Sequence, residues 1–460
     1  MVKLEPSPPI PLRDRTSWHL TANAPAAAWL TALFGIALFH RYVQESHWLL
    51  VHLLLLGAVT NAIFVWSAHF ADALLRRRAT AGSRRWQAGR LVTLNAGVVT
   101  VVAGMVSAQW ILTLVGSVVV GAAAAGHGIA LALQARSALP SRFGATVHYY
   151  ICASLALPIG AGLGATLALD PVEPWHGRLV IAHITLNLLG WIGLTVMGTL
   201  VTLWPTMLRT RIAQGAERVA RQALPILVCS VAIAAAGALA GLQALAAAGV
   251  AGYLGGVLWA TRPLATVARA KTPSAYATWS VMAALIWLVA SLLGLFTVLV
   301  TSATWELVTD RLWLLIIPLA AGFAAQVLLG ALSFLVPVVL GGGPNILRGT
   351  QVRMDRGNVL RVVLINAGLL VAVLPMPSQV RLLTALLVLC AFAAFLPLLI
   401  LAVLYAVRAK HAGQNSIDRA AMPRHVPEPA ALTRRRNTGQ SAVALTLVIF
   451  AVVAGVLLAR

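Results

Sequence analysis

Eleven histidines stand out in a chain that is 60% hydrophobic and only 10% charged. Imidazole suits heme iron and copper inside a membrane, because its neutral form coordinates through one nitrogen while an acceptor holds the other. An ionisable group in a bilayer is costly without a partner, so each intramembrane histidine is a candidate site residue. His52 and His183 lead, since each opens a membrane-length apolar run just inside its boundary. His69 and His148 lie toward the opposite ends of their runs. His127 is deeper, between Gly126 and Gly128, which leave room for a flat macrocycle. His40, His47 and His176 fall at run ends or in loops on the same side as His52 and His183. Of these, His47 and His176 are further candidate metal ligands, at positions where a water-exposed histidine is the plainer reading.

The elements that must position these residues are transmembrane helices. Apolar runs repeatedly reach the roughly 20 residues that cross a bilayer, and lipid-exposed backbone must bond to itself. The fold class expected is an all-α polytopic membrane protein with twelve spans and a thirteenth at the C-terminus. The spans run over residues 26–40, 47–75, 90–107, 110–134, 146–169, 182–210, 223–242, 245–259, 275–301, 312–340, 359–373 and 382–407, with the last over 441–459. Even-numbered spans end on basic loops, among them Arg76 to Arg78, Arg136 and Arg142, and Arg262 to Lys271. Glu45, Asp170, Glu173, Glu306 and Asp310 lie in the loops of the other face. By the positive-inside rule the basic face is cytoplasmic, which places the protein in the inner membrane with its N-terminus inside. Residues 1–24 then form a cytoplasmic tail, 25–408 a twelve-helix domain, 409–440 a basic cytoplasmic linker and 441–460 the last span. The proline-rich start shows no signal-peptide pattern.

An internal repeat emerges when span six is laid over span ten at an offset of 132 residues. Gly190 falls on Gly322, Gly198 on Gly330, Leu200 on Leu332, Leu203 on Leu335 and Pro205 on Pro337. Span two joins the pattern after a small gap, with His52 and an LLG run answering His183 and its LLG. Three four-helix units in pseudo-threefold arrangement follow, with spans two, six and ten equivalent.

Several classes are excluded or disfavoured by the same residues. The net charge of +22 sits in loops and tails and reports topology, so no nucleic-acid partner is implied. Cys152, Cys229 and Cys390 lie singly in apolar runs and read as packing residues. Asn61, Asn95, Asn187, Gln326 and Asn366 read as interhelical hydrogen-bonding groups. Gly160 and Gly164 make a small-residue packing face. Trp18, Trp48, Trp110, Trp175, Trp204, Trp305 and Trp313 read as interfacial anchors. No span carries paired carboxylates at its centre, and no nucleotide loop, nucleophile elbow or HExxH motif is present.

Twelve spans in a threefold repeat, with histidines at the outer ends of spans two and six, resemble the catalytic subunit of the heme-copper oxidase and nitric oxide reductase superfamily. The segment AHITLNLLGWIGLTVMG looks like that superfamily's sixth helix. The resemblance implies that His183 is a copper or non-heme metal ligand and that His52 ligates a low-spin heme b. It does not extend to the usual binuclear centre: span seven has no histidine, and Leu315 stands in span ten where His183 stands in span six. The chain also resembles NnrS-type membrane proteins, which are associated with heme, copper and the response to nitric oxide.

The function these features imply is a heme- and copper-binding membrane protein, an oxidoreductase in nitric oxide or nitrite metabolism or in quinol-linked electron transfer. His69, His127 and His148 would serve an inner-side heme. A quinol or an extracytoplasmic copper protein would be its partner. The competing expectation is a cofactor-free scaffold or small-solute transporter that tolerates loss of His52 and His183.

Overall fold

Near-continuous apolar composition leaves each backbone amide no partner but its own helix, and the chain folds accordingly. The computed structural model describes residues 12–77, 79–139, 141–414 and 430–459. Among them every regular element is helical, and thirteen helices are long and apolar enough to cross a membrane. The protein is therefore an all-α, multi-pass membrane protein that lives in a lipid bilayer.

The thirteen spans are Thr16–Tyr42, Ser46–Leu74, Ala81–Val106, Trp110–Arg136, Gly144–Leu167, Trp175–Met207, Ala216–Leu239, Gln243–Ala270, Tyr276–Thr301, Trp305–Leu340, Pro344–Val373, Ser378–Ala412 and Arg436–Leu458. Several boundaries depart from the sequence reading: spans three and eleven begin earlier, at Ala81 and Pro344, span eight runs on to Ala270, and both polar tails are shortened. Helix begins at Leu12, so most of the segment 12–24, expected as a tail, belongs to span one. Ala22 and Ala26, one turn apart, are both buried, which shows why: packing continues below the purely apolar stretch. The basic segment before the last span is likewise helical from Ala430, while the tail's first eleven residues and the linker residues 415–429 lie outside the described residues.

Spans two, six and ten are set apart by a shared irregularity. Each contains a stretch with π-helical, i to i+5 hydrogen bonding: Leu53–Val59, Thr185–Gly193 and Pro318–Ala325. Gly57, Gly190 and Gly322 fall at corresponding places in these stretches, as the repeat requires. A π turn inserts one residue into the ladder and re-aims every side chain beyond it, and such turns cluster at functional sites.

The chain divides into two compact units, Met1–Thr272 with Leu288–Ile316, and Pro273–Trp287 with Ile317–Arg460. The same polar triad recurs in both. In the first, the Trp29 indole donates to Asn95 Oδ1 at 2.8 Å, and Asn95 and Asn61 exchange amide hydrogen bonds at 2.8 and 3.2 Å. In the second, Trp287 donates to Asn366 Oδ1 at 2.8 Å, and Asn366 and Gln326 exchange bonds at 3.1 Å each. Asn61 and Gln326 also each donate back to the π-stretch glycine, Gly57 O and Gly322 O. The tryptophan lies so close to that glycine that a Cβ would come 2.9 Å from Trp29 and 2.7 Å from Trp287. These groups are the interhelical bonds expected of them. In the middle repeat the place of the triad is taken by apolar contact, with Gly190 against Ala156 and Val231.

In the first unit, span six is pinned to its neighbours by buried hydrogen bonds. Trp191 donates to Thr60 on span two at 3.1 Å, and Tyr253 on span eight donates to Leu189 O at 2.9 Å. The second bond supplies a donor to a carbonyl inside the π stretch, where the ordinary helical ladder is interrupted. Trp204, expected as an interfacial anchor, is instead buried and donates to Leu264 O at 3.1 Å.

Candidate functional site

The first unit brings His52 and His183 together. Their ring centroids lie 6.3 Å apart with the planes tilted by 39°. Both residues stand at the leading edge of a π stretch: His52 immediately before Leu53–Val59, His183 two residues before Thr185–Gly193. The two spans thus present their histidines from equivalent turns.

Each imidazole is fixed by its Nδ1. In His52 that nitrogen lies 2.8 Å from Trp48 O, and the Trp48 ring stacks on the imidazole at 3.9 Å between centroids. In His183 it lies 2.9 Å from Gly160 O of span five. A carbonyl can only accept, so Nδ1 carries the proton in both rings and the lone pair resides on Nε2. A nitrogen tied to an acceptor is the arrangement that prepares a histidine for coordination through its other nitrogen; at His183 the Asn187 amide also approaches the ring, 3.2 Å from Nδ1 and 3.5 Å from Nε2, and a ligated ion would take its place at Nε2.

Span five makes room for it. A Cβ at Gly164 would fall 2.9 Å from His183 Cε1, and one at Gly160 would overlap the Asn187 amide. The two glycines are indeed a small-residue face, and what they admit is the His183 ring with Asn187 beside it. Asn187 Nδ2 donates to His183 O at 3.0 Å and also lies against the His183 ring nitrogens, while its buried Oδ1 has no partner. Thr185 also has a buried hydroxyl without one.

The other candidates separate. His47 is exposed and meets Trp313 edge-on at 6.3 Å. His176 is half-buried in the first turn of span six, and His40 bonds Ala37 O through Nδ1. Among the described residues no three His, Cys, Asp or Glu gather closely enough to hold a metal ion together, so His47 and His176 do not join His52 and His183 in one cluster.

On the opposite side, His148 is exposed and bonds Gly144 O in its own helix at 3.1 Å. His127 is buried, stacks on Phe64 at 4.5 Å and lies 2.8 Å from Ser67 Oγ. The Ser67 hydroxyl proton is already given to Ile63 O at 2.6 Å. His127 Nε2 must therefore donate, and its buried Nδ1 keeps a lone pair without a partner. His69 packs against Trp66, Phe70 and a histidine that sequence reasoning missed, His19, whose ring meets it edge-on at 4.9 Å. His19 was hidden because the segment around it reads as a polar tail; only its continuation as helix carries it to span two.

The pair at 6.3 Å passes a test of chemical fit. Metal bonds to imidazole nitrogen are about 2 Å, so two rings sharing one ion have centroids from about 5 Å apart at a tetrahedral angle to about 6.4 Å when the nitrogens face each other across it, and the pair fits the latter. Neutral, Nδ1-anchored imidazoles are ligands for heme iron and for copper. Fold and site together define the class, a polytopic α-helical membrane protein with a paired-histidine site between two of its spans. Comparison with protein-family models and with curated proteins finds no match to this chain.

Proposed function

We propose that the protein is a heme- or copper-binding integral membrane protein related to the heme-copper oxidase superfamily, with an electron-transfer or nitrogen-oxide reaction as its activity. The observation that carries this reading is the His52–His183 pair, with both Nδ1 atoms bonded to carbonyls and the ring centroids 6.3 Å apart. His52 and His183 would hold the ion; Trp48, Gly160 and Gly164 orient them. The bound group would supply one-electron chemistry, since heme iron and copper both change valence. The residues of this chain would contribute ligation and a fixed tautomer, and the carbonyls bonded to Nδ1 would raise the basicity of both ligands.

On the positive-inside reading the basic loops are cytoplasmic, and this pair would then lie on the extracytoplasmic side of the cytoplasmic membrane, with the N-terminus inside. A quinol in the bilayer or a copper protein outside it is the electron partner that such a position admits. His127 and His69 belong to the other end of the same unit and serve as secondary candidates for a second heme, with His148 the least enclosed of the three.

The test is direct. Purified protein should show the strong Soret absorption of histidine-ligated heme, or bound copper by elemental analysis. Protein with neither, while folded and active in any assay that is found for it, would return the cofactor-free scaffold or transporter as the better account.

A further inference from the structure

The second unit contains a buried cation with no carboxylate at ion-pair distance among the described residues. Arg361, in the first turn of the helix Asn358–Val373, is only 4% exposed. Its guanidinium lies flat on the Tyr276 ring, 3.6 Å from the centroid, and Nη1 donates to Met354 O at 3.2 Å. Nε and Nη2 are buried with no partner, and so is the Tyr276 hydroxyl, whose residue is 1% exposed. One turn further along span nine, the fully buried Ser280 hydroxyl also lacks a partner.

Arginine stays protonated in any protein environment, so burial cannot relieve this charge by neutralising it. A buried guanidinium with two unmade hydrogen bonds is costly unless something satisfies it. Asp355 is the nearby carboxylate, but its oxygens are taken by the Tyr276 backbone N–H and by Asn358 Nδ2. Among the described residues no carboxylate comes within ion-pairing distance of Arg361. Nε–H and Nη2–H can only donate, and the hydroxyl of the phenol beneath them can donate as well.

We propose that Arg361 and Tyr276 form a binding site for a small monovalent anion of halide size. The two guanidinium N–H groups call for an acceptor, and near-complete burial limits its volume. The Asp355 charge close by disfavours a doubly charged oxyanion such as phosphate. The guanidinium fork supplies Nε–H and Nη2–H, and the Tyr276 hydroxyl supplies the third donor. Bound there, the anion neutralises Arg361 and ties spans nine and eleven together. It is independent of the histidine pair, since every group that forms it belongs to the second unit.

The experiment uses the full chain in detergent, prepared with bromide in place of chloride, and reads anomalous scattering together with thermal stability against halide concentration at constant ionic strength. A bromide peak between Arg361 and Tyr276, with stability rising as halide is added, is the expected result. Tyr276→Phe keeps the ring under the guanidinium and removes one donor, so the apparent halide affinity should fall about tenfold. Ordered water in place of the anomalous peak, or an unchanged halide response in Tyr276→Phe, would overturn the proposal.

Discussion

At the scale of single residues, the account rests on two imidazoles whose surroundings can be altered without touching them. A methyl group at Gly164 would press on the His183 ring, whereas Gly162, two residues away, has open space around it. Gly164→Ala should therefore cost about 1–3 kcal/mol of overpacking and lower heme or copper content, while Gly162→Ala should do neither; thermal unfolding and elemental analysis of both variants check this. His52 and His183 were legible in the sequence because polar residues in apolar runs are rare and these two hold corresponding places in a repeat. Their approach to each other was not legible, nor was the His183 tautomer, because the first depends on how spans two and six pack and the second on how span five meets span six at Gly160. His19 and Arg361 were missed for a shared reason: each sits where a basic, polar segment continues as helix into the packed interior, and composition there reads as loop.

Among the elements, the repeat first seen as five matched positions between spans six and ten shows as a π-helical stretch in spans two, six and ten, and as a hydrogen-bonded triad around spans two and ten. The π stretches in spans two, six and ten left no sequence signature beyond the glycines, because a π turn reflects which side chains must face the neighbours. The Trp-Asn-amide triads give that idea a measurable form. Replacing Asn95 by Leu strands the Trp29 indole and the Asn61 amide, and replacing Asn366 by Leu strands Trp287 and Gln326. Interhelical bonds in membranes average about 0.6 kcal/mol each, so each variant should lose roughly 1–2 kcal/mol, with equal effects in the two units if the triads are true counterparts. Denaturation in mixed micelles reads both. The thirteenth span contributes in a different way: Gln440 Oε1 accepts from Val359 and Leu360 N–H at 3.1 and 3.2 Å, filling the orphan donors at the start of the helix Asn358–Val373. Gln440→Ala should cost about 1 kcal/mol, the usual worth of a helix cap, and should be visible as easier proteolytic release of the C-terminal span.

At the scale of the whole molecule, the class was fully legible: length, apolar runs and alternating loop charge are enough to require a multi-pass helical membrane protein. The boundaries moved only where helices extend through polar sequence. The orientation drawn from the loops predicts that single cysteines introduced near Arg136 or Arg269 react with a membrane-impermeant thiol reagent only from the cytoplasmic side. Cysteines near Asp170 or Glu306 should react only from the other; labelling of intact cells and of inverted vesicles reads the difference. That orientation, together with the paired histidines near the acidic face, is what makes an extracytoplasmic electron partner the expected one. The central claim is that His52 and His183 jointly hold one heme iron or copper ion, and it is tested most directly by the heme and metal content of the wild-type protein beside His52→Ala and His183→Ala, all purified in folded form. The account predicts bound heme or copper in the wild type and its loss in both single variants, because neither imidazole retains the ion alone; a wild type without either, or variants that keep the wild-type content, would contradict it.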